Sequence, residues 1–365
     1  MIYKQLSYLP IIFQVDENII ADIQEFLGRN KFVFSKVLVV SGKSHSRELA
    51  TKLIADTQWE SYVINDNTFE EVDRLKNFAE LERYDLIVAI GGGKVLDTVK
   101  RVSYLSNINH LSVPTIISND GLISPISVLR NYKGITESIP GMMPMGVVID
   151  LDIIRNSPIN YLRAASGDIL SNLSATNDWV LAYKMRRDSI NDIGFHLSRS
   201  AANALLYFNG ISLYSKPFLR LVIQGQISSG IAMSLAGTSR PCSGSEHLIS
   251  HALSYLGLSD HVLHGIQVAS ISLFTLFLQD KLLDIHLNYA VATEIPLDFT
   301  TFLDPSAVVD LSVIYHLSKK MRPGRYTVLD EIDEETFLRR IKEYKSHISQ
   351  LEKKAQERKA QEKKA

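Results

Sequence analysis

Two histidines stand four residues apart in Ser239-Arg240-Pro241-Cys242-Ser243-Gly244-Ser245-Glu246-His247-Leu248-Ile249-Ser250-His251, directly after a turn rich in glycine and serine. On a helix, positions i and i+4 share one face, one turn apart. Two imidazoles stacked in this way can reach one small site. A third histidine, His264, follows thirteen residues later, ahead of Gly265. A lone carboxylate, Asp168, lies far upstream in Ser166-Gly167-Asp168. Two histidines and a carboxylate, with space for water or substrate, make a catalytic metal set. Each residue also has a plainer reading. Asp168 precedes an apolar helical run and suits a helix N-terminus; each histidine suits a hydrogen-bonded place inside a helical region.

A second candidate set lies nearer the start of the chain. Gly91-Gly92-Gly93-Lys94 stands between an apolar strand and a helix. Glycines there let a ligand approach the backbone, and the helix N-terminus offers free N–H groups and a positive dipole end. A pyrophosphate fits such a place, and so does a plain strand-to-helix turn. The segment is not the dinucleotide fingerprint G-x-G-x-x-G. A Walker loop would need Gly in place of Val88 and Ser or Thr in place of Val95. Asp97 is expected in the first turn of the following helix, where a carboxylate suits the dipole, with Lys100 beyond it. Pro114-Thr115-Ile116-Ile117-Ser118-Asn119-Asp120-Gly121, then Ser124-Pro125, form a polar loop after a strand. The loop is placed to hold a substrate hydroxyl or a cofactor, and its residues are equally those of an ordinary turn.

The elements that must position these groups follow from the apolar pattern. Lys36–Val40, Ser61–Ile64, Asp85–Ile90, Leu111–Ile116 and Met145–Asp150 read as strands. Ser46–Ala55, Phe69–Leu81 and Lys94–Tyr104 read as the helices between them. Apolar strands alternating with helices imply a parallel sheet covered on both faces. Beyond about residue 155 the pattern becomes helical: Ser171–Met185, Phe195–Tyr207, Phe218–Ala236, Glu246–Tyr255 and His264–Leu278, with no convincing strand. The expected organisation is an α/β domain over residues 1–155 and an all-helical domain over 156–345, meeting near Asn156-Ser157-Pro158. Residues 346–365 carry a charged five-residue repeat with high helix propensity and no apolar stripe, which reads as a solvated helix. Ligands of open α/β sheets bind at the carboxyl ends of the strands, so the cleft between the two domains is the expected site.

The bulk numbers bound the function. At 365 residues two domains are the prior, and 45% hydrophobic with 22% charged residues match a soluble globular protein. A formal net charge of −1 provides no global attraction to nucleic acid or anionic lipid. A single cysteine, Cys242, excludes an internal disulfide. Asp16 and Glu17 interrupt the apolar run Leu9–Val15, so no secretory signal is read, and no stretch reaches the roughly 18 apolar residues of a membrane span. The expected address is cytoplasmic, and homo-oligomerisation is left open.

Taken jointly, the motifs say more. Gly91-Gly92-Gly93-Lys94-x-x-Asp97-x-x-Lys100, Ser112-Val113-Pro114-Thr115, Asp120-Gly121, Gly167-Asp168, Ser239-Arg240-Pro241-x-Ser243-Gly244-Ser245-Glu246-His247-x-x-Ser250-His251 and His264-Gly265 occur in this order. In this combination the chain resembles the sn-glycerol-1-phosphate dehydrogenase family. That family sits within the wider group of glycerol dehydrogenases, iron-containing alcohol dehydrogenases and dehydroquinate synthases. The resemblance spans about residues 35–275, and its most specific part is the segment from Ser239 to His251.

The resemblance implies a Rossmann-like α/β half with an all-α half, the dehydroquinate synthase-like architecture. It implies a divalent metal, usually zinc, on Asp168, His247 and His264. It implies NAD or NADP along Gly91, Gly92, Gly93, Lys94 and Asp97 and around Thr115, Ser118 and Ser124. Asp120, Asp168 and His251 would face the substrate, with Asp120 and His251 in catalytic roles. The implied reaction is reduction of dihydroxyacetone phosphate to sn-glycerol 1-phosphate. Arg240 and Lys100 are candidates for its phosphate by charge, and Asp66 is placed to meet a ribose 2′-hydroxyl. Family members often carry His at the position of Asn119, Glu at that of Ile266 and Ala at that of Cys242. Rival readings are a glycerol or other small-polyol dehydrogenase, a dehydroquinate synthase-like cyclase, and a nonenzymatic binding or assembly protein.

Overall fold

The computed structural model describes residues 9–55, 57–303 and 310–362, and their side chains as far as residue 350. The first half runs β1 (Ile12–Asp16), α1 (Ile23–Arg29), β2 (Val37–Ser41), α2 (His45–Ile54), β3 (Glu60–Val63), α3 (Phe69–Leu81), β4 (Leu86–Gly91), α4 (Gly93–Ser106) and β5 (Asn109–Pro114). It continues through β6 (Ile126–Arg130), β7 (Thr136–Pro140), β8 (Gly146–Asp150) and α5 (Leu151–Arg155). The rest is helical: α6 (Ile159–Arg186), α7 (Asp192–Leu206), α8 (Lys216–Ala236), α9 (Ser245–Tyr255), α10 (His264–Leu278), α11 (Asp284–Ala292), α12 (Leu311–Met321) and α13 (Glu334–Glu362). No strand follows β8 among the described residues. None of the helices described is long and apolar enough to cross a membrane.

Six strands form one parallel sheet in the order β1-β8-β5-β4-β2-β3. Side chains alternate across it as the two-residue period requires. Leu38 and Val40 enter one apolar cluster, while Val37 and Val39 enter the other. Both faces are thus covered, which explains why β2, β4 and β8 are buried along their whole length. The strand order reverses between β2 and β4. Register aligns Ser41 with Ile90, and Gly91 with Pro114, so β2, β4 and β5 end together at one edge. That edge, at a reversal of strand order, is where an α/β sheet receives its ligand.

Three features depart from the sequence expectations. The run Leu9–Val15 contains an edge strand, β1, and a two-stranded antiparallel hairpin, β6–β7, lies outside the main sheet. Both are short and partly exposed, so neither shows a clean apolar period. Helix α6 begins at Ile159 rather than near Ser171, and Asp168 therefore lies mid-helix instead of capping an end. The run Ala164-Ala165-Ser166-Gly167 is buried all round, which hides the one-sided pattern of a surface helix. Gly92 is the N-cap of α4, which moves Asp97 from the first turn into the second.

One contiguous apolar cluster joins the two halves, passing from Ile149, Leu151 and Ile154 to Leu162 and Ile169. Helix α13 packs on it through Phe337, Ile341, Tyr344 and Ile348. The helical tail is thus the continuation of a core helix. Its repeat lies mostly beyond the described side chains, and residues 363–365 lie outside the described residues.

Candidate metal centre and cofactor cleft

Three helices bring the candidate ligands together. Asp168 comes from the middle of α6, His247 from the first turn of α9, and His264 from the first residue of α10. One donor atom from each lies within 4.8 Å of the others. Close backbone approach makes this possible. A Cβ on Gly265 would lie 2.0 Å from the Ala164 carbonyl oxygen, so only glycine lets α10 sit on α6 there. Each ligand at that crossing, Asp168 and His264, is chain neighbour to a glycine.

Neighbouring groups fix the rings. His247 Nδ1 lies 2.9 Å from Glu246 Oε1, and the same oxygen accepts from the Gly244 N–H at 2.6 Å. With Glu246 ionised, His247 donates from Nδ1 and keeps the Nε2 lone pair for a ligand. Ser250 Oγ lies 3.5 Å from His264 Nδ1 and donates to Gln267 Oε1 at 2.9 Å. Gln267 in turn donates to the Ser259 and Val262 carbonyls. Such carboxylate and amide partners are what orient metal-ligating histidines. Glu246, Ser250 and Gln267 had no assigned role in the sequence. The signal was present: a carboxylate immediately before a ligand histidine, and polar residues one helical turn from each ring.

The electrostatics suit a cation. Burial, reinforced by the positive charges of Arg322 and Arg325, drives the His247 pKa down to about 3. Burial, His247 and Arg322 bring His264 to about 3 as well. Both imidazoles are therefore neutral, the form that ligates metal. Burial raises the Asp168 carboxyl well above its ordinary range, and the neighbouring Asp120 adds to the effect. A buried carboxylate beside another carboxylate and two imidazole lone pairs is costly until a cation joins it. The residues thus fit a divalent metal with one oxygen and two nitrogen donors.

His251 completes a triangle of rings. Its centroid lies 6.2 Å from His247 and 6.1 Å from His264, which are themselves 5.0 Å apart. It stands outside the three-donor cluster. Burial and the two neighbouring histidines lower its pKa far below the ordinary value. Asp120 starts a 3₁₀ turn, and its backbone N–H bonds to the Asp168 carboxyl. Burial raises Asp120 to about 6, against the opposing pull of Lys100 and a hydrogen bond from Ser124. Cys242 is buried, with its thiol against the Ser229 carbonyl.

The cofactor candidates divide. A cleft of about 870 Å³ opens beside the carboxyl ends of the strands, and Gly92 and Thr115 line it with Asn18, Ser44, His45 and Asp150. Open space faces Gly93, where a Cβ would meet no atom within 4 Å. A helix N-terminus without side chains, at the mouth of a cleft of this size, fits a pyrophosphate. Asp97 and Ser124 lie elsewhere. Asp97 is paired with Lys100 at 2.6 Å, and Ser124 is buried against Asp120. Neither they nor Ser118 lines the cleft, although the Ser118 carbonyl reaches the α6–α10 crossing. Lys94 pairs with Asp66 at 3.1 Å, and Arg130 holds the same carboxylate. Asp66 thus has two cationic partners.

Both phosphate candidates prove to be committed. Lys100 is buried and donates to the carbonyls of Gly121, at 2.8 Å, and Ile126. Arg240 donates to the Tyr326 carbonyl at 2.6 Å and pairs with Asp188 at 2.5 Å. Their charge made them candidates, but tertiary contacts use it to fasten loops.

Known proteins resemble the chain in both sequence and fold. The family model described as iron-containing alcohol dehydrogenase matches residues 14–158. In overall structure the chain is similar to glycerol dehydrogenase from Schizosaccharomyces pombe, with a TM-score of 0.77 at 17% identity over 96% of this chain and 93% of that one. In sequence it is 33% identical to the glycerol-1-phosphate dehydrogenase [NAD(P)+] of Pyrococcus abyssi, over 86% of this chain and 90% of the relative. It is 32% identical to the protein of the same name from Thermoplasma volcanium, over 81% and 85%. With identity at this level along most of both chains, the protein belongs to the glycerol-1-phosphate dehydrogenase family.

Proposed function

We propose that this chain reduces dihydroxyacetone phosphate to sn-glycerol 1-phosphate with NADH or NADPH, and that Asp168, His247 and His264 hold a divalent metal, zinc. The observation that carries the reading is the convergence of these three donors within 4.8 Å, with Asp168 and His247 buried and His264 half-buried. Membership of the family supports the substrate, and the name of its relatives supports use of either nicotinamide cofactor. Two neutral imidazoles and one carboxylate, with a coordination position left over, suit catalytic zinc.

When bound, the metal supplies Lewis-acid polarisation of the ketone, and the nicotinamide supplies the hydride. The chain does the rest. Glu246 and Ser250 hold the His247 and His264 rings at their Nδ1 atoms. Gly93 leaves the backbone open to the pyrophosphate side of the cofactor, beside the cleft that Gly92 and Thr115 line. His251 hydrogen-bonds a substrate oxygen and relays the proton that reduction adds to the carbonyl oxygen, taking it at one ring nitrogen and releasing it from the other. Asp120 accepts a substrate hydroxyl while its backbone steadies Asp168. Asp168 and His247 are buried, and Asp120, His251 and His264 half-buried, which limits the water that reaches the reacting carbon.

The test is NAD(P)H oxidation by zinc-loaded protein, followed in absorbance, with dihydroxyacetone phosphate against dihydroxyacetone. The expected outcome is a clear preference for the phosphorylated ketone. Equal turnover of the two would remove the phosphate from the reading.

A further inference from the structure

We propose that Arg322 and Arg325 form the phosphate-binding cradle of this site. The inference rests on the phosphorylated-ketone reading above and supplies the group that reading lacks.

The argument starts from local sequence. Arg322-Pro323-Gly324-Arg325 follows directly on α12, which ends at Met321. The Arg325 N–H donates to the Arg322 carbonyl at 3.1 Å, and Gly324 has φ +82°. Proline followed by a glycine of positive φ, closed by an i to i+3 bond, is the signature of a type II turn. The turn brings arginines at its first and last positions to the same place. Their guanidiniums converge on one atom: Arg322 Nη1 lies 2.6 Å from Ser239 Oγ, and Arg325 Nη2 lies 2.8 Å from it. Arg325 Nη1 also donates to the Ser243 carbonyl. Ser239 and Ser243 belong to the loop that leads into α9, two residues before its first turn carries His247.

The placement adjoins the metal centre through the chain: Arg325 holds the Ser243 carbonyl, four residues before His247. The charge of both arginines reaches His247 and His251, and that of Arg322 reaches His264. Both side chains are half-buried, so water only partly screens them. Two guanidinium forks and a serine hydroxyl at one point match the several acceptor oxygens of a phosphate dianion. In dihydroxyacetone phosphate the carbonyl is the central carbon, separated from the phosphate by one methylene and the ester oxygen. A phosphate held beside Ser239 and Ser243 thus keeps the carbonyl close to the loop that leads into α9 and His247.

The experiment uses the full chain loaded with zinc and the single variants Arg322→Gln and Arg325→Gln. The readout is kcat/KM for dihydroxyacetone phosphate divided by that for dihydroxyacetone, together with KM, metal content and the inhibition constant of inorganic phosphate. The ratio should fall on the order of 10- to 100-fold in each variant. The loss should lie chiefly in KM, with weaker inhibition by phosphate and metal content retained. The variants Arg322→Lys and Arg325→Lys keep the charge but lose the fork, and should fall between; they serve as the test if the Gln chains do not fold. A wild-type preference for the phosphorylated ketone with an unchanged ratio in the variants overturns the cradle alone. A wild-type enzyme without that preference overturns the proposed substrate and the cradle with it.

Discussion

Gly167 of α6 and Gly265 of α10 meet backbone to backbone: a Cβ on Gly167 would lie 2.6 Å from the Gly265 carbonyl oxygen. The contact sets the distance between Asp168 and His264, each bonded to one of these glycines. Gly265→Ala should push the helices apart at the Ala164 carbonyl. The expected cost is about 2–4 kcal/mol of stability with loss of bound zinc, the usual scale for overpacking a closed site. Metal analysis and thermal unfolding check it, and a variant that melts with the wild type at full occupancy would refute it.

His247 and His251 share a helix face but have different neighbours. Substitution His247→Asn should abolish zinc binding. His251→Asn should lower kcat by about 10²-fold or more, the scale of a lost proton relay, with zinc retained. Equal loss of metal in both variants would show that the division of roles is wrong.

Glu246 acts on the metal through the ring it holds. Glu246→Gln keeps the shape and removes the charge facing His247 Nδ1. Zinc affinity should drop roughly 10- to 100-fold, as for other carboxylates behind ligand histidines. Competition with a chelator of known affinity measures it, and an unchanged dissociation constant would count against the assignment.

His110 provides a pH-dependent stability. It is buried on β5, neither ring nitrogen has a partner, and burial, aided by the charge of Lys100, lowers its pKa to about 3. The unfolded chain binds this proton below its ordinary pKa of about 6.5, whereas the folded chain refuses it until about 3. Stability from this group is therefore full above 6.5 and falls as pH drops toward 3. Between pH 7 and 5 the loss should be about 2 kcal/mol. His110→Leu should flatten the acid limb of a denaturation series; an acid limb that stays as steep in the variant would exclude His110 as its source.

Much of this was legible in the chain. Strands β2, β4 and β8 announce themselves because burial on both faces leaves nearly uninterrupted apolar runs. Helices α9 and α10 were readable because their ends carry turn residues and histidines. Helix α6 was legible only in its second half, since Gly167 reads as a break when its absent side chain in fact admits another helix. Lys100 and Arg240 illustrate the limit of reading by charge: a cation in a motif can serve carbonyls rather than a ligand. Arg322 and Arg325 lay outside every motif, and a turn far along the chain returns them to the Ser239 loop.

The three donors sit on three helices whose mutual packing forms the helical half. A ligand that binds only the native arrangement shifts the folding equilibrium by mass action, about 2.7 kcal/mol at one hundred times its dissociation constant. Occupancy of the centre and cohesion of α6, α9 and α10 are therefore linked thermodynamically. The unfolding temperature becomes a gauge of how full the site is, readable with no substrate or nicotinamide in the cuvette.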